Sequence, residues 1–138
     1  MKITVEALVA GTPDEVWRAW TTPEDIVQWN TASPDWHTTR ATVDLRAGGT
    51  FSSRMEAKDG SMGFDFAGTY TAIEPLRRIE CTLGERALHV DFIPEGNGVR
   101  VRETFDAEAT HSMEQQRAGW QAILDSFAAH VAKRQRAA

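Results

Sequence analysis

The last stretch of the chain, from Ser112 to Arg134, is the feature that most constrains the fold. Its apolar residues recur at spacings of three, four and seven, and they are Met113, Trp120, Ile123, Leu124, Phe127 and Val131. This spacing predicts an α-helix with one apolar face. Ser112 and Gln115 match the S-x-x-Q form of a capping box, which predicts where the helix begins. At ~1.5 Å per residue the helix is about 34 Å long, so its apolar face requires a large apolar partner.

Strands elsewhere in the chain can supply that partner. Residues 2–9 alternate between apolar and polar side chains, which is typical of a half-buried strand. Further strands are predicted near residues 40–46, 50–57, 63–74, 77–83, 86–93 and 98–105. Turn residues such as Asp59-Gly60 and Gly84 separate these strands by short links, so neighbouring strands are expected to be antiparallel.

Two short helices are predicted after the first strand. Thr12-Pro13 begins the first, with Thr12 as the cap, and Thr22-Pro23 repeats the same pattern for the second. Residues 30–39 show no period and are predicted to form a loop. The elements together predict one α+β domain over residues 1–138, with a helix-grip fold. In it, a curved antiparallel sheet of about seven strands wraps around the long C-terminal helix.

Composition narrows the classes of partner. A formal net charge of -5 and a pI near 5.3 argue against nucleic acid or an anionic membrane surface, because both would repel the chain. The single cysteine, Cys81, excludes an internal disulfide and a multi-cysteine zinc site. The histidines lack metal-ligand spacing and no cofactor motif is present, so neither a metal nor a cofactor is expected. No apolar run is long enough to span a membrane, and we expect a cytoplasmic protein.

Several short motifs, spread over nearly the whole chain, match one known family. They are Thr12-Pro13 with Trp17, Thr22-Pro23-Glu24 with Trp29, Asp44-Leu45-Arg46-Ala47-Gly48-Gly49-Thr50-Phe51, Gly68-Thr69-Tyr70, Glu103-Thr104-Phe105-Asp106 and Gly119-Trp120. The chain resembles the START-like (SRPBCC) superfamily, and within it the bacterial proteins similar to the activator of Hsp90 ATPase, often called polyketide-cyclase-like. Members bind lipids, sterols, hormones or polyketides and a few act on them, so the resemblance implies a hydrophobic pocket and a hydrophobic small molecule as partner.

Hsp90 itself is not expected as a partner. In the eukaryotic co-chaperone, stimulation of Hsp90 is associated with a separate N-terminal domain and an asparagine- and tryptophan-rich motif. Trp29-Asn30 and Trp36-His37 do not reproduce that motif. A monomer or a weak homodimer is expected.

Glu103 is the residue with the most informative position. It shares strand parity with Val99, Val101 and Phe105, so alternation places its carboxyl group on the apolar face. Burying a carboxylate costs several kcal/mol unless the group is paired, neutralised or solvated. Three interpretations stay open: an ion pair with an arginine of another strand, such as Arg54 or Arg86, an exposed position at the rim, and a polar anchor in a ligand pocket.

His37 offers the second candidate group. With Trp36 it falls in the predicted loop, where binding residues concentrate on a rigid scaffold, although such a pair is more often a packed lid or a simple surface position. His37 with Glu103 is the one base-and-carboxylate combination that the sequence makes plausible. If both groups reach one ligand, the protein is a cyclase- or hydrolase-type enzyme acting on a polyketide-like substrate.

The leading prediction is a cavity that binds a hydrophobic or aromatic small molecule between the sheet and the C-terminal helix. Its predicted ligand-binding residues are Trp29, Trp36, His37, Phe51, Met55, Phe64, Phe66, Tyr70, Glu103, Gly119, Trp120 and Ile123. Aromatic residues at these spacings also suit a packed core. Gly119 favours a cavity slightly, because a glycine inside a helix costs about 1 kcal/mol relative to alanine and often leaves space or allows close approach.

Overall fold

The computed structural model describes residues 1–137, with the side chains of residues 1–135. Ala138, the last residue of the predicted domain, lies outside the described residues. The elements in chain order are β1 (Lys2–Ala10), α1 (Pro13–Thr21), α2 (Pro23–Trp29), β2 (Trp36–Val43), β3 (Thr50–Ala57), β4 (Gly63–Glu74), β5 (Arg78–Leu83), β6 (Arg86–Glu95), β7 (Gly98–Asp106) and α3 (Met113–Ala137). No helix within the described residues is both long enough and apolar enough to cross a membrane.

The seven strands form one sheet in the order β1-β7-β6-β5-β4-β3-β2. Every neighbouring pair is antiparallel. The hairpins bring β2 to β7 together in chain order, and β1 then joins the free edge of β7. The sheet curls into a half-barrel around α3, and this confirms the predicted α+β helix-grip fold.

The C-terminal half of α3 is the packed half. Leu124 and Phe127 are fully buried and Val131 is nearly so. The Phe127 ring meets the edges of Trp20 and Trp29, each at a centroid distance of 4.9 Å, and those two indoles stack on each other at the same distance. The two short helices therefore close one end of the half-barrel with an aromatic cluster.

A polar contact joins α2 to α3 beside that cluster. Asp25 is buried, and its Oδ1 lies 2.8 Å from Nε2 of His130 and also accepts a hydrogen bond from Arg134. The indole N–H of Trp29 donates to the carbonyl oxygen of Ala19 at 2.9 Å. These bonds satisfy groups that would be costly to bury alone, and they orient α2 against the long helix.

The prediction of a loop over residues 30–39 is wrong for its second half. β2 begins at Trp36 and ends at Val43, so it starts four residues before the predicted strand of 40–46. Trp36 pairs with Ala57 and Val43 with Phe51, but the register shifts between Thr38 and Arg40. A bulge at this point breaks the apolar-polar alternation by which a strand is recognised in a sequence.

The caps of the helices are only partly as predicted. Ser112 and Gln115 form the predicted capping box, with both hydrogen bonds at 3.1 Å. Thr12 caps α1 in the same way with Glu15. At Thr22, however, no side-chain hydrogen bond is made. Thr22 also ends α1, since its N–H donates to the carbonyl oxygen of Arg18, and its conformation serves both helices at once.

The two threonines provide a matched test of capping. Replacing Thr12 by alanine should lower the free energy of unfolding by about 1 kcal/mol, because a helix N–H loses its partner. Replacing Thr22 by alanine should change it by less than about 0.5 kcal/mol, since no side-chain bond is lost there. Urea denaturation of both variants measures the difference, and equal losses would contradict the assignment of the caps.

Candidate ligand-binding cavity

A cavity of about 580 Å³ lies between the sheet and the N-terminal half of α3. All the predicted ligand-binding residues except His37 lie along it. They are Trp29, Trp36, Phe51, Met55, Phe64, Phe66, Tyr70, Glu103, Gly119, Trp120 and Ile123. The space is of the size at which drug-sized ligands bind proteins, and its lining is mostly apolar and aromatic.

Gly119 and Trp120 explain why α3 and the sheet are separated along the N-terminal half of the helix. The indole of Trp120 stacks on the Phe105 ring of β7, with a centroid distance of 4.0 Å and an interplanar angle of 17°. Two ring layers thus stand between α3 and the sheet. One residue earlier, a Cβ atom built on Gly119 would meet no heavy atom within 4 Å. The turn of α3 that carries Gly119 therefore borders open space.

Glu103 lies at the inner wall of the cavity. It pairs with Val5 of β1 and Val90 of β6, and it is only 4% exposed. Its Oε1 atom has no hydrogen-bond partner among the described residues. Alternation along β7 thus directs the carboxyl group inward as predicted, between apolar strands.

Of the interpretations left open for Glu103, the ion pair with Arg54 or Arg86 is not formed. Arg54 lies on the outer face of the sheet, with its Nε 3.0 Å from Glu56 and its Nη1 3.6 Å from Asp65. The Nη1 atom of Arg86 donates to the carbonyl oxygen of Asp106 at 3.3 Å. No cation of the described residues lies beside it, and burial raises the pKa of Glu103 from its ordinary 4.5 to about 8. The group is therefore mostly a neutral carboxylic acid at neutral pH.

His37 does not join Glu103. It lies in β2 and is exposed, and its register partner is Glu56, on the outer face of β3. Its neighbour Trp36 points inward and meets the Phe64 ring at a centroid distance of 5.8 Å. Because adjacent side chains of a strand point to opposite faces, Trp36 borders the cavity and His37 does not. The enzyme hypothesis requires His37 and Glu103 to converge on one ligand, and the two side chains do not converge.

The other ionisable groups of the inner wall are held neutral. Burial raises the pKa of the Cys81 thiol, and the nearby Glu103 carboxyl contributes to that shift. Burial also raises the pKa of Tyr70 well above its usual range. A thiol in this environment is a poor nucleophile. Within the described residues, no three His, Cys, Asp or Glu side chains lie together in a way that could hold a metal ion.

Polar groups gather instead at the N-terminus of α3. Gln116 is buried, and its amide nitrogen donates to the carbonyl oxygens of His111 at 2.8 Å and Glu108 at 3.1 Å. Its Oε1 accepts from the backbone N–H of Glu108 at 2.8 Å. This single side chain fixes the connection between β7 and α3. Arg86 and Gln115 also border the cavity here, so this side is polar while the inner wall is apolar.

Further residues line the cavity that the sequence did not single out as binding residues. The inner face of the sheet adds Ser53, Ile79, Cys81, Leu88 and Val90. Alternation would have found them, because Ser53 shares the parity of Phe51 and Met55 in β3. Asn30 also lines the cavity, but it follows α2, where the sequence has no period. No sequence signal was available for that residue.

A curved antiparallel sheet that holds a long C-terminal helix over an internal cavity defines a helix-grip domain. Residues 10–132 match the family described as Activator of Hsp90 ATPase homolog 1-like protein. The chain therefore belongs to this family, and the resemblance seen in its motifs is confirmed.

Solved structures of bacterial proteins agree with this assignment. The chain is 48% identical to the AHSA1-like protein from Aeromonas hydrophila, with a TM-score of 0.92 over 98% of this chain and 94% of that one. It is 43% identical to a protein from Cytophaga hutchinsonii, with a TM-score of 0.82 over 98% and 94% of the two chains. A Chromobacterium violaceum protein with 22% identity and a TM-score of 0.83, over 94% and 96% of the two chains, shares the fold alone. No curated protein sequence matches this chain significantly.

The buried carboxyl group predicts a specific dependence of stability on pH. Between pH 4.5 and about 8, the unfolded Glu103 releases its proton while the folded one retains it. The contribution of Glu103 to the free energy of unfolding is therefore largest below pH 4.5, decreases as the pH rises, and is constant again above about pH 8. Glu103→Gln removes the titrating group. The free energy of unfolding of this variant minus that of the wild type should therefore increase by several kcal/mol between pH 4.5 and about pH 8.

Urea denaturation of both proteins at a series of pH values measures this gain. All other titrating groups are shared, so they cancel in the difference between the two proteins. A difference that stays constant from about pH 5 to about pH 9 would mean that Glu103 is ionised in the folded protein.

Proposed function

We propose that this protein binds a hydrophobic or aromatic small molecule in the cavity between its sheet and its C-terminal helix. The observation that carries the proposal is the open space at Gly119 within a cavity of about 580 Å³. A concave and mostly apolar space of this size is typical of small-molecule sites in proteins. A bound ligand would fill it.

The chemistry of the lining supports an aromatic ligand. The rings of Phe51 and Tyr70 lie 5.0 Å apart, and the ring of Phe66 lies 6.0 Å from both Phe51 and Trp120. Edges and faces of aromatic rings therefore meet the cavity from the sheet and from the helix. A flat apolar molecule would gain both burial and ring-ring contacts in such a site.

The alternative of a cyclase or hydrolase lacks the pair of groups on which it depended. His37 and Glu103 lie on opposite faces of the sheet, so they cannot act on one bound molecule. Activation of Hsp90, to which the family description refers, is not proposed for this chain. Trp29 and Asn30 are both buried, so that dipeptide is not available to a partner protein.

Gly119 provides the test of the proposed site. Gly119→Leu places a branched side chain in the open space, and it should reduce ligand affinity at least tenfold. The fold should be retained, since leucine favours the helix by roughly 1 kcal/mol over glycine. Ala118→Leu is the matched control, because Ala118 is the preceding helix residue and is exposed.

Thermal-shift assays and native mass spectrometry measure binding to the wild type, Gly119→Leu and Ala118→Leu. The ligands tested are fatty acids, sterols and fused-ring aromatics. We expect at least one of these classes to bind the wild type and Ala118→Leu in a single copy and to stabilise both. A ligand at one hundred times its Kd should stabilise the fold by about 2.7 kcal/mol. If none of these classes binds, or if Gly119→Leu binds as well as the control, the proposal is wrong.

A further inference from the structure

We propose that Glu103 acts as a neutral acid that donates a hydrogen bond to a carbonyl oxygen of the bound molecule. The inference rests on the proposed function and names the class of its ligand. This class is an uncharged ring compound that carries a ketone, quinone or ester group.

The position of Glu103 requires a partner that the protein does not provide. The residue is 4% exposed, it lines the cavity, and its Oε1 lacks any hydrogen-bond partner among the described residues. A buried polar atom without a partner costs about 1–3 kcal/mol. Val5 and Val90 flank it on the neighbouring strands and offer no polar side chain. The missing partner can therefore come only from a molecule within the cavity.

Burial alone shifts the pKa of Glu103, and no charged group among the described residues contributes to that shift. Arg86 is four residues before Val90 in β6, which is about 13 Å along the strand, and its Nη1 donates to Asp106. Glu108 and His111 border the same polar end of the cavity as Arg86. The ionisable groups of the inner sheet face, Cys81 and Tyr70, are themselves neutral.

The helical wall facing Glu103 brings no charge either. Gly119, Trp120 and Ile123 of α3 line the cavity with uncharged groups, and so do Trp29 and Asn30 at the end of α2. The environment therefore favours the protonated acid, which has a hydrogen to donate and no cation to bind.

A carbonyl group fits this site better than an ammonium group does. A carbonyl oxygen accepts from a protonated acid without bringing a charge into the apolar wall. An ammonium ion would require Glu103 to ionise, and both charges would lose their hydration. The acid is neutral before binding, so a carbonyl ligand leaves its protonation unchanged.

Three matched compounds test this inference: an acetylnaphthalene, the ethylnaphthalene of the same shape, and naphthylmethylamine. Calorimetry measures their affinities for the wild type, Glu103→Gln and Glu103→Leu, with circular dichroism as the check on folding. The wild type should bind the ketone about five- to tenfold more tightly than the hydrocarbon, as one added hydrogen bond provides. Glu103→Gln should keep that preference, because its amide also donates, whereas Glu103→Leu should lose it.

The dependence on pH separates a neutral donor from an anion. The affinity of the wild type for the ketone relative to the hydrocarbon should decrease above about pH 8, where Glu103 ionises. The same ratio for Glu103→Gln should not change with pH. The inference is wrong if the ketone and the hydrocarbon bind the wild type equally, a result that leaves the proposed function intact. It is also wrong if the amine binds most tightly and Glu103→Gln abolishes its binding. If none of the three compounds binds although a fatty acid or a sterol does, the inference is wrong and the proposed function stands. If no ligand of any class binds, both are wrong.

Discussion

The contact of Phe127 with Trp20 and Trp29 is the interaction on which the rest of the structure depends. It attaches the C-terminal half of α3 to the two short helices, while Leu124 and Val131 bury the same half. With one half of the helix anchored in this way, the other half contacts the sheet through Trp120 on Phe105 and Gln121 on Glu6, and it leaves space beside Gly119. The cavity exists because α3 is held firmly at one end and is spaced from β7 at the other by aromatic rings.

Glu103 is placed where an apolar residue would stabilise the empty protein more. Its neighbours on the strands are valines, and its carboxyl oxygen gains no bond within the described residues in return for its burial. Folded proteins bury polar groups without partners mainly at functional sites, where some stability is lost in favour of ligand recognition. The proposed hydrogen bond explains the position of Glu103, because the ligand would supply the partner that the carboxyl group lacks within the described residues.

Most of the fold could be predicted because its signals are local. The spacing of apolar residues predicts α3, the pair Ser112 and Gln115 predicts its start, and strand parity directs Glu103 inward. The error over residues 36–39 has a local cause as well. The bulge between Thr38 and Arg40 breaks the alternation, so the sequence pattern predicts a loop at Trp36 and His37, where the structure has a strand.

Apart from the first half of β2, the sequence by itself determined which elements form, which face of each is apolar, and that one carboxyl group points toward the interior. These properties follow from periods of two and of 3.6 residues, which each segment carries alone. Only the tertiary structure decided that a gap separates α3 from the sheet, that no arginine within the described residues pairs with Glu103, and that His37 faces outward. Such facts depend on register, on a bulge and on ring packing between segments distant in the chain, and no local pattern carries that information.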